Sequence, residues 1–383
     1  MAILGQMLKN AVMACCAGNV IMIKFLKVGF RPLVRLLFFL SGLTKRNERI
    51  WLFCAWRGNG YLDNSKYLFE YVNQCQPGIT AVWISKNRNV VAALRKEGRR
   101  AYVGWSPMAV YYTLLGGTVF ETEGVQDIPA PCKYLIKGIR TVMMWHGGIP
   151  IKQCTNWLTT GRVQYDNQPW SNRFGECYWT ATSRWFVDIF HDYPFFDVKI
   201  PREQFLETGL PRNDVFSTRP AHRGVAEILS RHPGCKLIAY MPTHRNFGSD
   251  ASAILREETL AEMDAFLASN NYMMIFKPHF HEIAHYMRYA GRFGNIVFCE
   301  GELYRDTYSY IHLCDMLISD YSGIVMDYLC SGRPIILYTY DEEAYDKIDA
   351  GLGEYYHSIR FAPKCRTLPE LFAAVNTCFN GDR

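Results

Sequence analysis

The sequence predicts an α/β protein built from two Rossmann-like domains that face a cleft. The chain has 383 residues, which suits two domains at roughly 100–200 residues each. From residue 50 onwards, short runs of β-forming residues alternate with helical stretches, which indicates βαβ units and parallel sheets. A segment rich in proline, arginine and glycine at residues 201–223 interrupts this alternation once. We therefore predict an amphipathic segment over residues 1–47, an N-terminal domain over residues 48–214 and a C-terminal domain over residues 215–383.

Each predicted element follows from its local pattern. The apolar runs IWLFCAW, TAVWIS, TVFET and TVMMWH predict strands in the first domain, and KLIAYM, YMMIFK, NIVFC, DMLISD and PIILYTY predict strands in the second. Helices are predicted over residues 63–75, 90–97, 107–115 and 255–267 and from Ser322. Asp63 or Asn64 is expected to cap the first of these helices. Because open parallel sheets bind ligands at the carboxyl ends of their strands, we expect the functional site in the cleft.

The composition excludes several classes of protein. Hydrophobic residues make up 49% of the chain and charged residues 20%, so a disordered or fibrous chain is excluded. No apolar run reaches the roughly 18–20 residues that a membrane-spanning helix needs. The 13 cysteines show no zinc-ligand spacing. Because cations interrupt the N-terminal apolar stretches, we expect no secretion signal and a reducing, cytosolic compartment in which most cysteines are buried.

The positive charge is concentrated at the N-terminus. Residues 1–47 contain seven lysines and arginines and no acidic residue, whereas the rest of the chain is nearly balanced. The net charge of +6 therefore does not indicate a nucleic-acid partner, which favours basic residues spread over the body of a fold. The blocks IMIKFLKVGF and RPLVRLLFFL favour amphipathic helices at an anionic inner membrane surface. A helical hairpin packed on the protein's own core would give a similar pattern.

One polar cluster follows the predicted strand TVMMWH. This strand delivers His146 to a turn at Gly147 and Gly148, where a ligand can approach the backbone closely. A histidine at this place is suited to act as a general base near neutral pH. It is equally suited to tie down the turn.

Two further clusters follow strands of the second domain. In YMPTHR, Arg245 lies just past a strand, and in IFKPHFHE, Lys277 and His279 lie past the next one. Cationic and imidazole groups at adjacent strand ends suit a substrate that carries phosphate.

The fourth cluster lies where the predicted strand MLIS ends. The turn from Asp320 to Gly323 leads into a predicted helix, whose free N–H groups would bind an anion together with the Ser322 hydroxyl. The turn matches neither a P-loop nor a GxGxxG fingerprint, so ATP hydrolysis and nicotinamide binding lose support. Asp327, one turn into the helix, is placed either to contact a ribose or to lie on the helix surface.

Residues 281–285 match HExxH, the zinc-protease signature. In that signature both histidines share one face in mid-helix. Here Pro278 places His281 and His285 in a first helical turn directly after a strand, and Glu300 or Glu302 would have to supply the third ligand. A zinc protease is therefore a remote alternative.

Taken in order, these motifs resemble the CDP-glycerol glycerophosphotransferase family, whose members build teichoic acids and teichoic-acid-like capsules. The resemblance extends from about Ala55 to Ile348 and is carried by GNGYLDNSKYLFEY, WHGGIPIK, a Thr-Ser-Arg helix start at Thr182, TGLPRNDVF, YMPTHRN, KPHFHE and LISDYSGIVMDYLCSGRPIILYTYDEEAY. It implies a GT-B fold, a CDP-glycerol donor bound mainly by the C-terminal domain, and work on a lipid-linked glycan acceptor at a membrane surface.

The resemblance also implies roles for single residues. His146 matches the WHG histidine and His279 the KPH histidine, and both histidines are implicated in catalysis in the family. Ser322 matches the first serine of the family's SDYSS turn at the donor phosphates, whereas Gly323 replaces the second serine.

Two more segments depart from the family pattern. Gly148 and Ile149 stand where the family more often has a single residue, and His244 stands where an aromatic or aliphatic residue is more usual. These departures concern the acceptor and the exact donor more than the type of reaction.

We therefore expect transfer of glycerol phosphate from CDP-glycerol to a glycan hydroxyl with release of CMP, by an enzyme at the cytoplasmic face of the membrane that extends a linker as a primer does. His146 and His279 are the predicted catalytic residues. The other predicted contacts are Arg245, Lys277, Ser322 and Gly323 for the donor phosphates, Asp327 for the ribose, and Gly147, Gly148 and Lys152 for an acceptor-side loop.

No DxD-type pair lies at a strand end, so we predict neither a metal requirement nor a cofactor. A glycerophosphate polymerase, a GT-B glycosyltransferase with another nucleotide donor and a non-catalytic membrane-docked scaffold are the alternatives.

Overall fold

Two parallel β-sheets form the framework of the protein. The computed structural model describes residues 31–147, 177–192, 200–245, 256–279, 282–299, 306–348 and 351–381. The strands of the first sheet are β1 (Asn47–Phe53), β2 (Thr80–Ser85), β3 (Ala101–Val103), β4 (Gly116–Glu121), β5 (Arg140–Met143), β6 (Tyr178–Thr180) and β7 (Phe205–Leu206). The strands of the second sheet are β8 (Lys236–Tyr240), β9 (Tyr272–Phe276), β10 (Ile296–Phe298), β11 (Met316–Ser319), β12 (Ile335–Tyr338) and β13 (Lys364–Cys365). The predicted α/β fold class is confirmed.

Helices connect these strands. They are α1 (31–41), α2 (Asp63–Cys75), α3 (Arg88–Lys96), α4 (Pro107–Leu115), α5 (Arg184–Asp192), α6 (Val215–Thr218), α7 (Arg223–Arg231), α8 (Glu257–Ser269), α9 (Ile283–Tyr286), α10 (Ile324–Tyr328), α11 (Glu342–Ile348), α12 (Glu354–Ser358) and α13 (Leu368–Asn380). β7 and β8 belong to different sheets, and the predicted domain boundary near residue 215 lies between them in the chain. The domain bounds stay a prediction.

The strand order creates one crevice suited to a ligand in each sheet. The first sheet has the order β3-β2-β1-β4-β5-β6-β7 and the second β10-β9-β8-β11-β12-β13, and the strand pairs are parallel. The order reverses between β1 and β4 in one sheet and between β8 and β11 in the other. Loops at such reversals diverge to opposite faces and leave a crevice at the carboxyl ends of the strands. The predicted clusters after β5, β8, β9 and β11 lie at or beside these crevices.

The strands are buried because helices cover both faces of each sheet. Every residue of β4 and of β9 is buried, as expected for central strands of a parallel sheet. Seven of the ten cysteines in the described part of the chain are buried and none is in a disulfide, as expected. In the same part of the chain, no helix is both long and apolar enough to span a bilayer.

The start of α2 differs from the prediction. Neither Asp63 nor Asn64 caps it, because Leu62 is the residue before the helix and provides no side-chain hydrogen bond. Asp63 has a left-handed φ of 63°, and both side chains point to the rest of the site described below. The strain of a positive φ at a non-glycine residue is typical of functional positions.

One of the N-terminal cations is structural. The guanidinium of Arg46 donates to the backbone oxygens of Thr113, Leu114, Ser41, Leu135 and Lys137. Partial burial lowers its pKa to about 10. It therefore fixes the end of α1 to the first domain.

Candidate active site

His146 lies past the carboxyl end of β5, as predicted. Its Nδ1 is 3.0 Å from the backbone oxygen of Thr122, which follows β4. A carbonyl oxygen only accepts hydrogen bonds, so Nδ1 must carry the hydrogen and Nε2 of the neutral ring has a free lone pair. The side chain is exposed. The geometry thus presents Nε2 as a proton acceptor to the cleft.

Two neighbours hold His146 in place. The Trp145 ring lies against the imidazole with the centroids 4.1 Å apart, and Trp145 has a φ of 56°. Thr122 is fixed by buried Asp127, whose Oδ2 accepts hydrogen bonds from the Thr122 N–H at 2.7 Å and from its hydroxyl at 2.9 Å. Burial raises the pKa of Asp127, although three backbone N–H groups oppose the shift. Asp127 therefore positions the carbonyl that sets the His146 tautomer.

Asn64 connects the His146 loop to the second half of the chain. Its Nδ2 donates to the backbone oxygens of Met144 at 3.1 Å and Trp145 at 2.9 Å. Its Oδ1 accepts from the backbone N–H of Arg212 at 3.1 Å. The start of α2 is thus used to hold two distant backbone segments, which explains why Asn64 is completely buried.

A threonine–aspartate pair joins the two loops that border the second crevice. Asp320, directly after β11, accepts hydrogen bonds from the N–H and the hydroxyl of Thr243 after β8, at 2.9 Å and 2.6 Å. Ser322 and Gly323 follow and are partly exposed. The helix predicted from Ser322 begins at Ile324 and has only five residues, so its dipole is weak.

Arg245 has carboxylate partners of its own. Its guanidinium lies 2.6 Å from Asp341 and 2.8 Å from Asp320, and it is buried. Burial alone would lower the pKa of Arg245, but these carboxylates raise it above its ordinary value. The phosphate contact that we predicted for Arg245 stays a prediction. In the structure this residue links the ends of β8, β11 and β12.

Lys277 and His279 follow β9 and come close to the same crevice. The His279 ring stacks on that of His244 with a centroid distance of 5.0 Å, and His244 Nδ1 is 3.2 Å from a Glu282 carboxylate oxygen. Burial lowers the pKa of Lys277, and the negative charge of Asp306 opposes part of this shift. A phosphate arriving beside Lys277 would favour its charged form further.

Asp327 lies between the domains in a buried ionic cluster. Its Oδ2 is 2.6 Å from Arg212 Nη2 and accepts a hydrogen bond from the Tyr308 hydroxyl at 2.6 Å, and its Oδ1 accepts one from Asn213. The other side of Arg212 meets Asp63 at 2.8 Å. Both oxygens of Asp327 thus have internal partners. The predicted ribose contact stays a prediction, whereas the alternative position on the helix surface is wrong, because Asp327 is buried.

A second ion pair joins the domains beside this cluster. Lys66 Nζ in α2 is 2.6 Å from Asp306 Oδ2, which also accepts a hydrogen bond from the Tyr67 hydroxyl at 3.1 Å. Lys66 and Tyr67 of α2 thus contact the second domain directly, whereas Asp63 reaches it through Arg212.

Several predicted residues cannot be placed. Gly148 and Lys152 lie outside the described residues, as do His281 and the side chain of His285. The described member of HExxH, Glu282, pairs with His244, and α9 is a single turn. Among the residues that the structure describes, no group of three or more His, Cys, Asp or Glu side chains is placed to hold a metal ion.

A comparison with models of known protein families identifies the family of this chain. The model described as CDP-Glycerol:Poly(glycerophosphate) glycerophosphotransferase matches residues 36–383. The chain belongs to this glycerophosphotransferase family. The match includes both sheets and all the described residues of the site.

Curated relatives carry related names. A teichoic acid poly(glycerol phosphate) polymerase of Staphylococcus epidermidis is 25% identical over 80% of this chain and 42% of its own length. A polymerase of the same name from Bacillus spizizenii is 24% identical over 86% of this chain and 82% of its own length. A teichoic acid glycerol-phosphate primase of Staphylococcus aureus is 24% identical over 69% of this chain and 63% of its own length. The chain thus spans less than half of the first relative, and its similarity extends to polymerases and primases of the glycerophosphotransferase family alike.

Solved structures share the fold. A structure of the wall teichoic acid polymerase TagF has a TM-score of 0.66 at 22% identity and covers 94% of this chain and 88% of that chain. A UDP-GlcNAc 2-epimerase from Methanocaldococcus jannaschii has a TM-score of 0.52 at 10% identity and covers 87% of this chain and 93% of that chain. At such identities the likeness shows the fold alone, and it agrees with the GT-B-type architecture expected for the glycerophosphotransferase family.

The structure brings the three C-terminal clusters to one edge of the second sheet, and places His146 at the matching edge of the first. Sequence reasoning missed the residues that connect them, chiefly Asn64, Asp127 and Arg212. The two sequence signals were the polar start DNS of an otherwise amphipathic helix and the PRND segment at the domain boundary. Neither signal identifies the residues that contact Asn64 or Arg212, because those residues lie far away in the chain.

Proposed function

We propose that the protein transfers glycerol phosphate from CDP-glycerol to a hydroxyl of a lipid-linked glycan, with release of CMP. The acceptor oxygen attacks the β-phosphorus, the bond from this phosphorus to the CMP oxygen breaks, and the acceptor proton moves to His146 Nε2. Membership of the glycerophosphotransferase family supports the donor and the reaction type. We further propose teichoic-acid or capsule assembly as the setting, with one or a few units added to each acceptor.

The observation that carries this proposal is the orientation of His146. Its Nδ1 is committed to the Thr122 carbonyl, so the exposed Nε2 is the atom available for a proton. A base held in the correct tautomer by a backbone oxygen needs no reorganisation before it reacts.

The donor side fits a diphosphate. Lys277, His279 and the turn at Ser322 supply hydrogen-bond donors at the ends of β9 and β11. Such groups stabilise the charge that spreads over the phosphoryl oxygens in the transition state. We propose that they do so without a divalent cation.

We also propose that the first helix docks the enzyme on the inner face of an anionic membrane. In α1, Phe38 is buried and packs on the first domain, while the other sides of the helix and its end are apolar and open. The most exposed are Leu36 at 54% and Leu43 at 81%. Monomeric proteins rarely expose a contiguous patch of this kind without a partner. Exposed Arg31, Arg35 and Lys45 flank it, and no acid precedes Glu48, which suits anionic headgroups.

A donor screen tests the reaction. Purified protein is incubated with a panel of linker glycans and CDP-glycerol, CDP-ribitol or UDP-sugars, and CMP or UDP release and product mass are measured. We expect CMP release from CDP-glycerol, a mass gain of one or a few glycerol phosphates, and an unchanged rate in EDTA.

The other outcomes of the donor screen are equally informative. A long product ladder would identify a polymerase, and release from UDP-sugars alone would identify a glycosyltransferase of the same fold. A rate that collapses in EDTA and recovers with magnesium would overturn the metal-independent mechanism. No release with any donor would contradict the proposed function.

Vesicle binding tests the membrane proposal. The double variant Leu36→Ser/Leu40→Ser should weaken sedimentation with phosphatidylglycerol vesicles by at least about tenfold, since each leucine contributes roughly 1.5 kcal/mol or more when buried in lipid. Leu229→Ser is the matched control, because Leu229 is 38% exposed on α7 of the other domain. Equal binding of both variants, or binding to neutral vesicles alone, would contradict an anionic docking surface.

A further inference from the structure

A pocket of about 440 Å³ opens between the two domains. Thr182, Ser183 and Trp185 line it from the first domain, at and just before the start of α5, and Met326 and Phe361 line it from the second. Its volume lies within the roughly 300–1,000 Å³ that is usual for small-molecule sites. None of the catalytic or phosphate-binding roles above uses it.

The pocket lies beside the reaction site. Thr182 comes two residues after β6, and Met326 comes one helical turn after Ser322, so the carboxyl ends of both sheets border it. Met326 and Trp145 pack against the same apolar cluster, and Trp145 contacts His146. The same apolar cluster therefore supports both the pocket lining and the residue beside the proposed base.

The lining combines aromatic faces with hydroxyl groups. Trp185 is 42% exposed and Phe361 45% exposed. Tyr355 meets the Trp185 ring edge to face, with the centroids 5.3 Å apart. Ser183 Oγ accepts a hydrogen bond from the Phe186 N–H at 3.2 Å and keeps its own hydrogen to donate. A sugar ring matches such a lining, because it has apolar C–H faces and a polar rim of hydroxyls.

The charges around the pocket do not suit a phosphate. Among the described lining residues none is basic, and the Asp327 carboxylate borders the pocket. The Asp327 carboxylate is paired with Arg212 and provides no partner for an anion, whereas Lys277 and the turn at Ser322 offer cationic and N–H partners elsewhere. This lining therefore suits a neutral occupant better than an anionic one.

We infer that this pocket binds a neutral sugar ring of the acceptor glycan and stacks it on Trp185. The inference rests on the proposed function for its reaction, and it adds the acceptor subsite and the residue that recognises the acceptor. A sugar stacked here keeps the glycan in register with His146, so that one hydroxyl is presented to the donor phosphorus.

Kinetics with the Trp185→Ala variant test this subsite. With the most active lipid-free glycan of the acceptor panel, the KM for the acceptor should rise about tenfold, as expected when an aromatic platform is lost, and the KM for CDP-glycerol should stay within about twofold. Trp105→Ala is the matched control, because Trp105 is 62% exposed on the first domain and packs under Arg88. An increase in the CDP-glycerol KM with no change for the acceptor would assign the pocket to the cytidine base and overturn the inference.

A binding measurement separates this inference from the reaction itself. Calorimetric titration of the full chain with chitobiose, cellobiose and maltose, without donor, should detect at least one saturable disaccharide complex. Trp185→Ala should weaken it about tenfold, while Trp105→Ala leaves it unchanged. Absence of any disaccharide binding in an enzyme that releases CMP would refute the sugar subsite alone. Disaccharide binding without CMP release from any donor would refute the proposed reaction and leave the subsite standing.

Discussion

Replacing His146 with alanine is expected to lower kcat for glycerol-phosphate transfer by about 10²–10⁴-fold, the usual contribution of a general base. The KM for CDP-glycerol should change little, because Lys277 and the turn at Ser322 belong to the other domain. Steady-state CMP release at saturating acceptor measures both quantities.

Three controls separate catalysis from structure at this position. His146→Asn can still donate to the Thr122 carbonyl but provides no base, so it should lose as much activity as the alanine variant. Added imidazole should restore part of the rate of His146→Ala, and His232→Ala, a change at the end of α7, should be neutral. If His146 only ties down the turn, His146→Ala will instead lower the melting temperature and reduce kcat less than tenfold.

The fold could be predicted to the extent that its elements are long enough to show a pattern. The bounds of α2 and α4 match the predicted residues 63–75 and 107–115. In α2 several turns carry a periodic apolar face, and in α4 the ends are marked by Ser106 before Pro107 and by Gly116 after the helix. The strands β3, β6, β7 and β13 have only two or three residues, which is too short for any periodicity. Each of these strands is positioned by pairing with a strand that is remote in sequence. The local sequence pattern contains no information about that pairing.

The same limit explains which partners of charged residues the sequence did not reveal. Arg245 lies at a strand end, as predicted, but its partner Asp341 is 96 residues away. Residue type alone suggests a phosphate contact for Arg245. The local sequence around an arginine near a cleft is the same whether a ligand phosphate or a protein carboxylate neutralises its charge. His146 was predicted more completely, because the signal there is a strand end followed by two glycines, and this requires no distant partner. Lys277 and Ser322 are placed by the same kind of local signal, and their roles await the donor screen.

Arg212 is the strongest case of a residue whose importance comes from distant partners. It is 1% exposed and lies between Asp63, 149 residues away, and Asp327, 115 residues away. Burial alone would lower its pKa, but the two carboxylates raise it above the ordinary value. Its backbone N–H also holds Asn64, and Asn64 holds the backbone before His146. The cluster therefore connects the orientation of the proposed base with α10 at the donor turn.

The Arg212→Met variant should lose about 3–5 kcal/mol of unfolding free energy, because it leaves two carboxylates buried without a cation. The midpoint of urea unfolding at low temperature measures the loss. The matched control is Arg223→Met, which breaks an Arg–Glu pair of similar length, 2.9 Å, whose arginine side chain is 89% exposed. Exposed pairs contribute little, so the control should change stability by less than about 0.5 kcal/mol.

We attribute the expected loss of stability to the buried carboxylates that Arg212→Met leaves unpaired. A second variant tests this cause. Adding Asp327→Asn to Arg212→Met removes one of the orphaned charges, so the double variant should be more stable than Arg212→Met alone. The deficit of Arg212→Met should also shrink from pH 7 to pH 5, since protonation neutralises a carboxylate that the native state keeps out of water. If instead the double variant is less stable than the single one and the deficit is constant with pH, the methionine's packing and not the unpaired charge limits stability. Arg212 would then be a shape-filling residue, and the coupling between the domains would rest on Lys66 and Asp306.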